Sequence, residues 1–154
     1  MKSPRLAKLA SFGSVALLAF AAAGTAVAKA PTKGNYQGLT SEKIAVTFEV
    51  SAGGKNILNF TTALGYNGKC GQGGGPGFEI KVKAIRVSHG KFSATTKGTL
   101  HAAVVVKPID VKISGHISGK KATGTVAQTG GKNKCTTIDK GANPYSETFT
   151  ASTK

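Results

Sequence analysis

Tryptophan is absent from the 154-residue chain, and tyrosine is confined to Tyr36, Tyr66 and Tyr145. Carbohydrate-binding surfaces and single-strand nucleic-acid platforms stack their ligands on flat amphipathic rings, so specific readers of either class are disfavoured. Acids are scarce too: Glu42, Glu49, Glu79, Asp110, Asp139 and Glu147 stand against 21 lysines and arginines. None of the six falls into a calcium-loop pattern, and no two declare themselves as an acid–base couple. A G-x-S-x-G elbow is missing, as is any sustained helical periodicity to back one. The glycine-rich run at residues 70–77 leads into the strand pattern Phe78-Glu79-Ile80 rather than a helix, which removes the physical basis of a phosphate cradle.

Three histidines remain as ordinary proton-transfer groups. His89 falls in a turn pattern, His116 on a solvent-facing strand position, and His101 where alternation is ambiguous. Their spacing matches no zinc motif, and no cysteine or acid at ligand spacing completes a set. The residues give no catalytic, cofactor-binding or metal site. A hydrolase or metal protein built on these histidines stands only as an alternative, which needs the fold to bring them together.

What the chain has in plenty is an export address. Lys2, Arg5 and Lys8 precede an apolar run at residues 9–23, and Ala26-Val27-Ala28 is a small-x-small cleavage signature. The run is shorter than the roughly 20 residues a membrane-crossing helix needs, so residues 1–28 read as a signal peptide. The expected mature start is Lys29, with Ala30 a weaker cut site. Residues 29–33 read as a short leader and 34–154 as one domain, secreted or held in the cell envelope, with no transmembrane segment after cleavage.

Cys70 and Cys135 are the only cysteines. In an oxidising compartment two cysteines in one small domain pair, and this pair is expected to form a structural disulfide. Under the chain-entropy model a loop of this length contributes roughly 4 kcal/mol. The segment between Gly65 and Gly77, pinned by that bond, also suggests an alternative role, an epitope presented to a secreted enzyme by an inhibitor.

Along the mature chain the apolar period is two. Ile44, Val46, Phe48 and Val50 share a face, and the next strand, 57–66, places Leu58 and Phe60 on its buried side. Phe78, Ile80 and Val82 alternate with Glu79, Lys81 and Lys83, and the phase then slips to Ile85 and Val87, which predicts a β-bulge. Strands follow at 92–99, 100–106, 109–117, 122–128, 135–138 and 145–151. Eight or nine strands with frequent turns predict an antiparallel β-sandwich or small barrel. Gly54-Lys55, Gly90-Lys91 and Gly119-Lys120 each fall in a turn before a strand. A lysine there suits an exposed hairpin and guards a strand edge; the same echo would also make a comb of three cations.

Three of the basic residues precede the cleavage site, which leaves 18 against six acids, a formal charge of +12. Such an excess attracts polyanions over a Debye length of about 8 Å at physiological salt. The expected partners are anionic envelope or extracellular polymers or an anionic membrane surface, met without sequence-specific nucleic-acid recognition. The expected contacts are Lys81, Lys83, Arg86, Lys112, Lys120 and Lys121.

Gly34-x-Tyr36-x-Gly38-x-Thr40, Gly90-Lys91-Phe92-Ser93, the run from Ile113 to Val126, the two cysteines and Phe149-Thr150-Ala151 together resemble a group of small exported bacterial β-sandwich proteins of unknown function. The resemblance spans most of the mature chain and implies a disulfide-tied β-sandwich. It carries over no catalytic or binding residue.

Overall fold

The computed structural model describes residues 29–65, 77–100, 107–131 and 146–154. Within them eight strands run in chain order: β1 (Gly34–Thr40), β2 (Ala45–Val50), β3 (Asn56–Leu64), β4 (Phe78–Ser88), β5 (Lys91–Thr99), β6 (Ile109–Ser118), β7 (Lys121–Gly130) and β8 (Ser146–Ser152). Each strand is antiparallel to its sequence neighbour, and β1 also pairs with β8, opposing Gln37 to Ser152 and Thr40 to Phe149. The sheet therefore closes into a barrel. Of the two architectures the alternation allowed, the sandwich gives way to the barrel. The physical reason lies partly in Gly38, because a side chain there would begin 1.8 Å from the Thr150 carbonyl oxygen and prevent closure.

The inner wall is apolar and the outer wall polar. Val46, Phe48, Val50, Phe60, Phe78, Ile80, Ile85, Ile109, Val111, Ile113 and Ile117 are buried. Lys81, Lys83, Lys97 and Lys112 alternate with them on the outside. A membrane-spanning barrel has the reverse arrangement, with its apolar band turned outward. No helix among the described residues is long and apolar enough to cross a bilayer.

An eight-stranded barrel is just wide enough to be filled by side chains. Here the filling is an aromatic chain. Tyr36 stacks on Phe48 at 5.0 Å, Phe48 on Phe60 at 5.7 Å, and Phe60 meets Phe149 edge-on at 5.8 Å, with Phe92 beyond at 6.5 Å. These separations lie in the favourable range for ring pairs. Space for Phe92 comes from Gly115 on β6, where a Cβ would sit 2.5 Å from the ring's Cζ atom.

The phase slip at Ala84-Ile85 is structural. β4 carries one more residue than β5 between Ile80 and Val87. A matching extra residue in β3, set against β2, places Asn59 at φ +53°. This second bulge was not legible and corrects one expectation: Ile57 takes the interior position, while Leu58 is only half-buried. Of the strand expected at 100–106 only Leu100 is described, buried just past the end of β5; the rest of it, the strand expected at 135–138, the signal peptide and both cysteines lie outside the described residues.

In this up-and-down path the β2–β3, β4–β5 and β6–β7 connections all fall at one end, called here the lower end. The β1–β2, β3–β4, β5–β6 and β7–β8 connections fall at the upper end. Residues 29–32, expected as a plain leader, close the lower end. Gly119 N–H donates to the Lys29 carbonyl (3.1 Å), and Thr32 N–H donates to the Gly119 carbonyl (2.9 Å). The buried Tyr36 hydroxyl lies 2.7 Å from the Gly119 oxygen and 2.9 Å from the Thr32 oxygen, its single proton facing two acceptors.

Burial raises the Tyr36 pKa, against a smaller lowering by the hydrogen bond to Thr32. A phenol with a raised folded-state pKa stabilises the fold fully below its unfolded value of about 10, and that contribution disappears as pH climbs through the higher folded value. Tyr36→Phe should lower stability by about 1 kcal/mol near neutral pH. The gap between wild type and variant should narrow above about pH 10, as read by urea unfolding across the alkaline range. A gap that widens there would contradict this account.

Candidate polyanion-binding site

Connection chemistry places charge at the two ends unequally. The three glycine–lysine turns are the lower connections, so Lys55, Lys91 and Lys120, all exposed, share one end of the barrel. His89 and Gly90 form the two-residue β4–β5 turn with φ of +50° and +74°, a geometry that reverses the chain in minimal length. Arg86 pairs with Asn56 beside Lys55, Lys121 begins β7, and Lys29 lies against Gly119.

Acids gather at the other end. Glu42 lies in the β1–β2 connection, and Glu79, Asp110 and Glu147 each occupy the second position of a strand that descends from the upper end. Among the described residues only Glu49, near the foot of β2, breaks the pattern.

The expected contact set is thereby divided. Arg86, Lys120 and Lys121 belong to the lower end. Lys81, Lys83 and Lys112 stand higher on the outer wall, on β4 and β6. Lys81 is paired with Glu79 at 2.7 Å, and the neighbouring wall lysine Lys97 is paired with Asp110. Lys29, Lys55 and Lys91 were outside the expected set. The repeated glycine–lysine turn carried the signal for two of them, but only the topology turns the repeat into a shared location.

A groove of about 420 Å³ opens at this end. Ala30 and Pro31, with the edge of Val87, contribute apolar surface, and Lys29, Lys55 and His89 contribute polar groups. No acid lines it. Of the histidines, His89 has its Nδ1 3.1 Å from the Ser88 hydroxyl. The His116 ring lies close to Gly90, within about 3 Å of where a Cβ would stand. His101, like residues 66–76 of the suggested inhibitory loop, lies outside the described residues. No group of three metal-ligating side chains occurs among the described residues.

The upper end has its own polar feature, inside the wall. Glu147 is buried and accepts a hydrogen bond from Gly65 N–H through Oε1 at 2.8 Å, while its Oε2 has no partner among the described residues. Buried Gln128 donates its amide to the Gly130 and Gly131 carbonyls, at 3.1 and 3.0 Å, and its Oε1 likewise has no partner among the described residues. Each orphaned acceptor costs about 1–3 kcal/mol. Glu147→Gln keeps an acceptor for Gly65 and exchanges the other carboxylate oxygen for an amide nitrogen, so it should change stability by less than about 1 kcal/mol. Glu147→Ala should lower it by about 2 kcal/mol because Gly65 N–H loses its acceptor. Urea denaturation of both variants checks the pair, and a destabilised glutamine variant would show that the carboxylate itself is needed.

No protein-family model, curated protein or solved structure matches the chain.

Proposed function

We propose that this chain is an exported, non-enzymatic β-barrel protein that contacts anionic polymers of the envelope or extracellular space through its basic lower end. One observation carries the reading: the three glycine–lysine turns meet at one end of a closed barrel, joined by Lys29, Arg86 and Lys121. Lysines on short turns project into solvent and reach a flat or extended partner together, whereas lysines paired on the wall are already partly neutralised. Such contact needs no aromatic platform, in keeping with the absence of tryptophan. The upper connections then face away from the partner. A disulfide between Cys70 and Cys135 is part of the same reading. The Gly65–Glu147 hydrogen bond draws together the end of β3 and the start of β8, and the cysteine-bearing segments adjoin those two strand ends.

Retention on immobilised polyphosphate should be strong at low ionic strength and fall steadily with added salt. The Lys55→Glu/Lys91→Glu/Lys120→Glu variant should elute at much lower salt than Lys81→Glu/Lys83→Glu/Lys112→Glu, although the two carry the same net charge. Equal elution would place the effect in bulk charge alone and remove the lower end as a site. For the disulfide, alkylation of the unfolded, unreduced secreted protein should modify no thiol, and reduction should release two. A free thiol before reduction would refute the link.

A further inference from the structure

We propose that removal of the leader after Ala28 completes the lower groove as a phosphate-binding site, the newly freed α-ammonium of Lys29 being its third cation. The proposal rests on the polyanion reading of the same end and adds to it a ligand class and a dependence on processing.

The position of Lys29 is held by the fold. Its carbonyl accepts from Gly119 N–H, and three residues on, Thr32 N–H returns a bond to the Gly119 carbonyl. Between them Pro31 packs so closely on the β2–β3 turn that a Cβ on Gly54 would lie 3.0 Å from its ring. The Lys29 main chain is therefore pinned to one turn while Pro31, two residues on, abuts another, and Lys29 is held at the groove that it lines.

In the precursor that nitrogen is a neutral amide. Hydrolysis by a leader-removing peptidase adds one water across the Ala28–Lys29 bond. Ala28 departs with a carboxylate, and Lys29 keeps an amine that takes up the proton. An α-amine has a pKa of about 8 and is mostly charged at neutral pH. One cleavage thus converts a dipole into a full positive charge, at a groove that Lys29 and Lys55 both line.

Three point charges without an arginine fork suit a tetrahedral, multiply charged anion better than a planar carboxylate, which arginine binds through two parallel bonds. The apolar surface of Ala30 and Pro31, with the edge of Val87, suits the carbon skeleton of a phosphate ester. A polymer terminus and a lipid headgroup both present that chemistry.

The test uses the full chain expressed with its own leader and recovered after export. Its N-terminal sequence should begin at Lys29. Inserting Gly-Ser between Ala28 and Lys29 moves the ammonium about 7 Å along the chain and leaves every lysine in place. Titration with glycerol 3-phosphate, followed by NMR shifts of the groove residues, should show affinity reduced on the order of fivefold in the inserted form, the effect of one unit charge near 4 Å in a high-dielectric setting. Lys55→Gln should weaken binding by a similar factor. Lys29→Gln, which keeps the α-amine, should lose less when combined with the insertion than the two changes predict separately if both charges meet one phosphate. Vesicles of phosphatidylcholine with phosphatidylglycerol form the second arm: a response that needs the free amine on vesicles alone assigns the phosphate to a lipid, and one with the soluble ester assigns it to a polymer terminus. Equal affinity with and without the insertion in both arms, or a mature N-terminus other than Lys29, overturns the proposal. Polyphosphate retention serves as the control. If it persists in the inserted form, the polyanion reading stands whatever the fate of this one. If it is absent from every form, that broader reading fails first.

Discussion

Pairing of β1 with β8 is the constraint on which the remaining features depend. It involves only a few residue pairs, from Gln37–Ser152 to Thr40–Phe149, yet it removes both free edges of the sheet at once. An open antiparallel sheet of this length would need a second layer to cover its apolar face, whereas a closed one covers that face with itself. Closure also brings β3 and β8 across the interior, so that Phe60 and Phe149 touch edge-to-face. The backbone approach at Gly38 makes this possible: no other residue leaves room for the Thr150 carbonyl.

Much of this was legible in the chain. The inward set on β2 and the run Ile109, Val111, Ile113, Ile117 on β6 read directly from alternation, because a period-two apolar pattern has only one physical interpretation once helices are excluded. The slip at Ala84-Ile85 was legible for the same reason. The bulge at Asn59 was not: Leu58 and Ile57 are both apolar, so neither phase is preferred, and the left-handed backbone that decides between them leaves only an asparagine as its trace. Barrel against sandwich was likewise undetermined, since both use the same strands and turns and differ in whether the first strand reaches the last.

The site was legible in parts but not in place. Composition showed the excess of cations, and the turns showed a repeating glycine–lysine unit. Neither states that the repeats share an end, because that follows from the parity of a meander: every second connection returns to the same side. Local alternation also drew attention to Lys81, Lys83 and Lys112, which stand out on strands, and passed over Lys29, whose significance comes from hydrogen bonds to a turn some 90 residues later in the chain. The buried pair Glu147 and Gln128 shows the opposite limit, for a polar residue at an inward position of a strand carries no local sign of what will surround it.

Among the described residues, the acids Glu42, Glu79, Asp110 and Glu147 lie towards the upper end among the cations Lys43, Lys81, Lys97 and Lys107, whereas the cations of the lower end have only Glu49 near them. The field of such an arrangement is strongest where compensation is weakest, so a negative surface would exert a torque as well as an attraction on the described part of the barrel.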